Sequence, residues 1–216
     1  MRGLDSYSNL CVFDNKLVLL RSGLKNASRV VLFSSTLLVM PRKNILSLLQ
    51  GEDRRTIGRS DEVAAAVLKN PKLFGGLIAG LWSVDAVVRM RAADAAEKVT
   101  RKNREVLQGY KKELLGLLAE AEEPELRWHL AAMIPRLALN AKERQRAAAF
   151  LNTYLEDRSS IVRTFALQGL ADLAEEDAGM RARVVEILRA AARSGTPAMR
   201  ARSRKLLVRL ERVETR

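Results

Sequence analysis

The sequence is poor in cysteine and histidine, two of the side chains that enzymes commonly use for nucleophilic and metal chemistry. Its 216 residues include one cysteine, Cys11, and one histidine, His129. One cysteine cannot form an intrachain disulfide, and this pair cannot build a Cys/His zinc site. A histidine-based catalytic dyad or triad would depend on His129 alone. We therefore expect a non-enzymatic protein with no catalytic residues, no metal site and no cofactor, in the reducing cytoplasm.

Aromatic residues and long apolar runs are also scarce. Aromatics make up 5% of the chain, whereas hydrophobic residues make up 48%. The hydrophobic set is mostly Ala, Leu and Val, which favours close helix packing over a β-sandwich. The apolar stretch 29–40 is far shorter than the roughly 20 residues that a membrane span needs. It also lies late for a signal peptide and has no small-x-small cleavage site, so we expect no membrane partner.

Positive charge is abundant and unevenly placed. The chain carries a formal net charge of +13, with 38 basic and 25 acidic residues. Residues 193–216 contain eight basic and two acidic side chains, whereas the much longer stretch 71–192 contains 19 and 17. The final segment is therefore strongly basic and favours an acidic partner.

Four arginines recur at nearly constant spacing along the last two-thirds of the chain. They are Arg89, Arg127, Arg163 and Arg200, separated by 38, 36 and 37 residues. Small or apolar residues mostly follow at three, seven and ten positions: Ala92, Leu130, Ala166 and Ser203; Ala96, Ile134, Leu170 and Leu207; Val99, Leu137, Leu173 and Leu210. Twelve positions before each arginine stand Leu77, Leu115, Leu151 and Leu188. Such a period is typical of a helical solenoid, whose usual role is to bind a partner.

Turn and capping signals divide the repeated region into helices. Ser60 is expected to cap a helix over about 61–69, which ends before Asn70-Pro71. Four helix pairs are then predicted: 71–82 with 86–102, 104–120 with 124–139, 142–156 with 160–175, and 178–193 with 197–213. We therefore expect an N-terminal capping helix region over 40–70, followed by repeats 71–102, 104–139, 142–175 and 178–213 within 71–216.

The second helix of each pair resembles that of the HEAT-repeat family. The shared pattern is an apolar residue and an arginine followed by spaced small and apolar residues, as in Val88-Arg89, Leu126-Arg127, Val162-Arg163 and Met199-Arg200. The resemblance covers about 71–213 and implies an all-α, right-handed solenoid of about four antiparallel pairs. HEAT-like arrays serve as scaffolds, lyase-like helpers and nucleic-acid proteins, so the resemblance does not specify a function.

The resemblance also implies a structural ladder of acidic turn residues and helix arginines between successive repeats. The residues assigned to it are Asp85, Arg89, Glu123, Arg127, Arg163 and Arg200. Asp85 and Glu123 stand four positions before their arginines, but Ser159 and Thr196 take that place in the last two repeats. We therefore expect a complete ladder only in the N-terminal half.

Residues 1–39 differ from the repeats and have no helical period. Two interpretations stay open: a poorly ordered extension, or translated upstream sequence with Met40 as the true start.

Outward positions of the second helices predict the binding surface. On a helical wheel, positions two, five, nine and twelve after each repeat arginine point away from the core. The candidates are Arg91, Lys98, His129, Arg136, Phe165, Arg202, Lys205, Arg209 and Arg212. In HEAT-like arrays these helices line the concave groove, and a basic groove fits an acidic protein segment. Phosphate contacts to nucleic acid are the alternative, and a charged terminal repeat that only maintains solubility is the third reading.

One enzyme class needs mention, because DNA-alkylation-repair glycosylases are built from HEAT-like repeats and use groove tryptophans with an aspartate. Trp82, Asp85 and Trp128 offer those residue types. However, Trp82 and Asp85 fall in a predicted turn, so this is only a remote alternative.

Overall fold

The structure is a computed structural model that describes residues 45–53 and 55–214. Within this part the chain forms nine α-helices: α1 Ser60–Lys69, α2 Phe74–Ala79, α3 Ala86–Lys102, α4 Lys111–Glu120, α5 Pro124–Met133, α6 Ala141–Thr153, α7 Ser160–Glu175, α8 Ala178–Ser194 and α9 Pro197–Glu214. The described residues contain no β-strand, so the prediction of an all-α fold is confirmed for them. The expectations for 1–39 fall outside the described residues.

Short 3₁₀ segments replace α-helix at several predicted helix ends. They are Pro71–Leu73, Gly80–Trp82, Arg104–Tyr110, Ile134–Arg136 and Tyr154–Glu156, and a further 3₁₀ segment, Ile45–Leu49, precedes α1. The predicted helix 124–139 ends as an α-helix at Met133, just before Pro135. Proline has no N–H to donate and its ring clashes with the preceding turn, so it does not continue the α-helix.

Side-chain caps explain several of the helix starts. Asp85 accepts from the N–H groups of Val87 and Val88 at α3, and Asn140 forms a reciprocal capping box with Glu143 at α6. Ser159 and Asp177 likewise cap α7 and α8. The prediction that Ser60 caps α1 is wrong. Ser60 is the first residue of the helix, and its buried hydroxyl donates instead to main-chain carbonyls.

Five helices follow one another in a row that positions the candidate residues. α1 packs on α3, α3 on α5, α5 on α7, and α7 on α9, and we call these five the helix row. α2, α4, α6 and α8 pack against members of this row, and α4 also packs on α6. Small side chains permit close approach, since Ala92, Ala93, Ala95 and Ala96 on α3 are all fully buried.

The predicted core positions are buried with two exceptions. Leu77, Leu151 and Leu188 are each 0% exposed, but Leu115 is only half-buried and Leu114 takes the core position instead. A 3₁₀ segment precedes this helix, and its tighter winding of about 3.0 residues per turn changes the register that a pure α-helical wheel assumes. Of the residues three, seven and ten positions after each repeat arginine, only Leu207 is not buried.

Candidate partner-binding surface

Two repeat arginines bond to an acidic residue in the following helix pair. Arg89 donates to the carboxylate of Glu123, and Arg127 donates to Asp157 Oδ2 at 2.6 Å. Each guanidinium also donates to carbonyl oxygens in the turn that precedes its own helix. Both arginines therefore tie the turn of one pair to the turn of the next.

The acidic partners differ from those that the resemblance implied. The Asp85 carboxylate caps α3, and the only bond between the two residues in the described structure is main-chain, from the Arg89 N–H to the Asp85 carbonyl oxygen at 3.0 Å. The assignment of Asp85 as a ladder partner is therefore wrong. In the third pair the partner is Asp157, two positions before Ser159. Burial would raise the pKa of Asp157, but hydrogen bonds from the Ser159 N–H and from Arg127 hold that pKa below its usual value. Asp157 lies six positions before Arg163, whereas the pattern implied by the resemblance places the acidic residue four positions before the arginine.

The last two repeat arginines make no such link. In the part of the chain that the structure describes, neither Arg163 nor Arg200 forms a salt bridge, and the buried Nε of Arg163 has no hydrogen-bond partner. Arg200 is exposed. Arg200 lies on α9, the last helix of the row, so the described residues supply no following pair to receive its side chain.

Arg91 was predicted to face a partner, and this is wrong. The residue is only 5% exposed on α3. Its guanidinium donates to four main-chain carbonyls of the segment before α1, at Leu49 (3.1 Å), Gln50 (2.7 Å), Asp53 (2.9 Å) and Thr56 (3.2 Å). Arg91 is therefore a structural residue that fastens this segment to the helix row.

Two glycines make room for the Arg91 guanidinium. Gly51 and Gly58 have φ angles of 149° and 52°, which favour glycine over other residues. A Cβ atom on Gly51 would lie 2.6 Å from Arg91 Nη1, and one on Gly58 would lie 2.7 Å from its Cζ. The loop can wrap the guanidinium only because both positions lack a side chain.

Lys98 and His129 belong to a charged cluster that crosses α1, α3 and α5. Lys98 Nζ lies 2.5 Å from Asp61 Oδ1 and 2.7 Å from Asp94 Oδ2. His129 is 1% exposed, and its Nδ1 lies 2.6 Å from the Glu125 carbonyl oxygen. Its Nε2 is 3.7 Å from Asp94 Oδ1, an electrostatic approach longer than a hydrogen bond. The prediction that His129 faces solvent is therefore wrong.

The Asp94 carboxylate interacts with both basic side chains of the cluster. Burial alone would raise the pKa of Asp94, but the nearby His129 and Lys98 outweigh it and hold the pKa below its usual value. Burial would lower the pKa of Lys98, but Asp61 and Asp94 raise it instead. The ionised forms of Asp94 and Lys98 thus stabilise each other, and the Lys98 ammonium is already paired with two carboxylates of the fold.

Arg136 is also occupied within the fold. It donates to the carbonyl oxygen and carboxylate of Glu97 at 2.9 and 2.5 Å, and to Thr100 Oγ1 at 2.8 Å. Glu97 additionally binds Arg101 one helical turn away. Burial would raise the pKa of Glu97, but these two arginines keep it below its usual value. Arg136 therefore links α3 to the 3₁₀ segment that follows α5 and does not stand free in a groove.

Aromatic side chains connect α5 to α9. The ring centroids of Trp128 and His129 are 3.3 Å apart, and those of Trp128 and Phe165 are 5.0 Å apart. The Arg202 guanidinium lies over the Phe165 ring, 5.6 Å from its centroid. Phe165 is partly buried against the core, so the face that sequence analysis offered to a partner is already in contact with Arg202.

Two of the four cations predicted on α9 bond to α7. Arg202 donates to Gln168 Oε1 at 2.8 Å. Arg209 lies 2.6 Å from Asp172 Oδ1 and 2.7 Å from Glu175 Oε1. The predicted stripe of Arg202, Lys205, Arg209 and Arg212 is therefore divided, because half of it joins the last two helices of the row.

A second set of cations remains on the far side of α9. Arg200, Arg204, Lys205 and Arg212 are exposed there, and Val208 is 49% exposed among them. In the described part of the chain, Arg200, Arg204 and Lys205 have no ion pair. Positions 200, 204, 208 and 212 are spaced by four and share one helix face. We call this set of five residues the α9 outer face, and sequence analysis missed Arg204 in it.

Repeat geometry explains why this face is exposed. Four positions after the repeat arginine, the earlier second helices carry Ala93, Ala131 and Leu167, which are all buried. Arg204 occupies that position on α9. The α9 outer face is thus the helix face that packs on a neighbour in the earlier repeats, here carrying arginine and lysine.

The three residues that resemble the glycosylase set lie in different local environments. Trp82 is 46% exposed at the end of a 3₁₀ segment, the Asp85 carboxylate is engaged by the α3 N-terminus, and Trp128 stacks on His129. Across the described residues, no group of three or more His, Cys, Asp or Glu side chains is placed to hold a metal ion. Nor is any helix there long and apolar enough to cross a membrane.

Comparison with known proteins adds no assignment, since no family model matches the chain and no curated protein resembles it closely enough to be matched.

Proposed function

We propose that the repeats form a right-handed, HEAT-like α-solenoid. Three observations support this: the period of the repeat arginines, the ordered packing of α3, α5, α7 and α9, and the side-chain bonds that join successive pairs. Arg89 with Glu123 and Arg127 with Asp157 occupy matching places one repeat apart. Arrays of this kind present long surfaces and use them mainly for binding.

We propose that the protein is a non-enzymatic interaction scaffold, and that its α9 outer face binds an acidic protein segment. The observation that carries this is the exposure of Arg200, Arg204 and Lys205 without acidic partners on a face that packs on a helix in earlier repeats. A helix bearing carboxylates at four-residue spacing would meet these cations, and an apolar side chain on it would cover Val208.

The groove predicted from sequence is a weaker candidate for this role. Lys98, Arg136 and Arg209 bond to acidic residues of the fold, and Arg91 is buried. A partner that used them would first have to break those bonds, and each buried polar group left unpaired costs about 1–3 kcal/mol. The exposed cations of α9 carry no such cost.

Nucleic acid is the alternative ligand for the same cations. In that case log affinity should fall with log salt with a slope of magnitude about 3–4, roughly one for each phosphate contacted. Base stacking would need free aromatic faces, yet Phe165 already contacts Trp128 and Arg202. This is why we favour a protein segment. A cytoplasmic location stays a prediction that rests on the scarcity of cysteine.

A charge-reversal pair tests the proposal. The probe is a fluorescent 20-residue helical peptide with glutamates at four-residue spacing and one leucine, and a 20-nucleotide single strand serves as the competing ligand. Arg204→Glu with Lys205→Glu should weaken peptide binding at least tenfold. The matched control is Lys72→Glu with Lys112→Glu, two exposed lysines on other helices, which gives the same net charge. Equal loss in both variants would show only a general effect of charge, and tighter binding of the single strand would favour the alternative.

A further inference from the structure

A cleft lies between α6 and α8, away from the candidate partner-binding residues. Its volume is about 430 Å³, and Leu170 of α7 lies within its lining. The other apolar residues of the lining are Ala148, Ala149, Met180, Val184 and Ile187. The small side chains on α6 and Gly179 at the start of α8 leave this space between the two helices. A concave site of this volume falls in the range of ordinary ligand sites.

Three polar side chains of the cleft have no hydrogen-bond or ion-pair partner among the described residues. They are Gln145 and Asn152 on α6 and Arg183 on α8. The remaining charged residue, Asp177, uses its carboxylate to cap α8. The cleft therefore offers two carboxamides and one guanidinium above an apolar lining.

We propose that this cleft binds a short extended peptide with an apolar side chain and a nearby carboxylate. Each carboxamide has both a donor and an acceptor, which suits the N–H and C=O groups of a main chain. Gln145 and Asn152 are seven residues apart on one helix, a distance of about 10 Å. An extended chain advances about 3.3 Å per residue, so three residues span the two carboxamides.

The side chains specify what the peptide carries. Met180, Val184 and Ile187 accept an apolar side chain, and Arg183 pairs with a carboxylate in the forked geometry that guanidinium groups favour. One cation is too few for a nucleic-acid backbone, and one carboxylate that already caps a helix is too few for a divalent cation. The site is independent of the α9 outer face.

A selection experiment with the full chain tests the cleft. Random octapeptides displayed on phage are panned on the immobilised protein, and the enriched sequences are synthesised for titration. Peptides with an apolar residue and an acidic residue within three positions should be enriched. Ala149→Trp fills the cleft from an exposed position and should lower the affinity for these peptides at least tenfold. The control, Ala190→Trp, changes an exposed alanine of α8 outside the cleft and should leave the affinity unchanged.

Charge exchange and NMR complete the test. Arg183→Glu should lower the affinity for the acidic peptides and raise the affinity for versions that carry lysine in place of the acidic residue. In the wild-type protein, the side-chain NH₂ signals of Gln145 and Asn152 should shift on titration. The proposal is overturned if no peptide is enriched over the bare support, if Ala149→Trp binds as well as the wild type, or if the two NH₂ signals stay still while the peptide binds.

Discussion

Replacing Arg91 by alanine tests whether this buried cation fastens the segment before α1. The substitution removes every bond from the guanidinium to the carbonyls at Leu49, Gln50, Asp53 and Thr56. Most of these residues are exposed, so their carbonyls regain hydrogen bonds from water, but Leu49 is fully buried. One unsatisfied buried acceptor costs about 1–3 kcal/mol. With the lost packing of the arginine stem, we expect a total loss of about 2–4 kcal/mol.

Urea unfolding and amide hydrogen exchange measure this effect together. Exchange should accelerate at residues 49–58 and stay nearly unchanged in α7 to α9. Arg91→Lys should fall between wild type and Arg91→Ala, because an ammonium keeps the charge but lacks the planar fork that reaches several carbonyls. A loss below about 0.5 kcal/mol, within the usual range for surface substitutions, with unchanged exchange at 49–58, would refute the structural role.

Three further predictions concern stability. Leu151→Ala should cost about 2–5 kcal/mol in chemical denaturation because its side chain is fully buried, and a cost below about 1 kcal/mol would contradict its place in the core. Arg127→Ala should cost about 1–3 kcal/mol in chemical denaturation, because the buried carboxylate of Asp157 loses its ion-pair partner and keeps only the hydrogen bond from the Ser159 N–H. Adding Asp157→Asn should recover part of this loss, and no recovery would show that the two residues are uncoupled. The fold lowers the pKa values of Asp94, Glu97 and Asp157, so their ionised forms stabilise it at neutral pH. This stabilisation should be lost as pH falls below the ordinary pKa values, 3.8 for Asp and 4.5 for Glu. An unfolding midpoint that does not change from pH 7 to pH 3 would contradict this.

The helical fold was readable from the sequence because its signals are local. The arginine period, the prolines and the cap residues each act within a few positions, so α3 and α7 begin and end where they were predicted. The errors came from local geometry that a helical wheel ignores. Pro135 shortened the second helix of its pair, and a 3₁₀ segment placed Leu114 rather than Leu115 in the core.

The candidate site was less predictable because it depends on how helices neighbour each other. A helical wheel treats one side of each helix as exposed. In the structure α3 and α5 pack on each other, and this contact buries Asp94 of α3 and His129 of α5. The structural role of Arg91 was not predicted because its partners are main-chain carbonyls, which any sequence would supply. Arg204 was missed because only the last helix of the row exposes its position.

Complementary charge exchange tests the proposed interface most directly. Two peptides are compared, identical except that one carries glutamate and the other lysine at four-residue spacing, against the wild-type protein and against Arg204→Glu with Lys205→Glu. The proposal predicts that the wild type binds only the glutamate peptide and that the reversed protein prefers the lysine peptide. If the reversed protein still binds the glutamate peptide with wild-type affinity, the α9 outer face is not the interface. If the wild type binds neither peptide, the cations serve only as a solvated end of the repeat array.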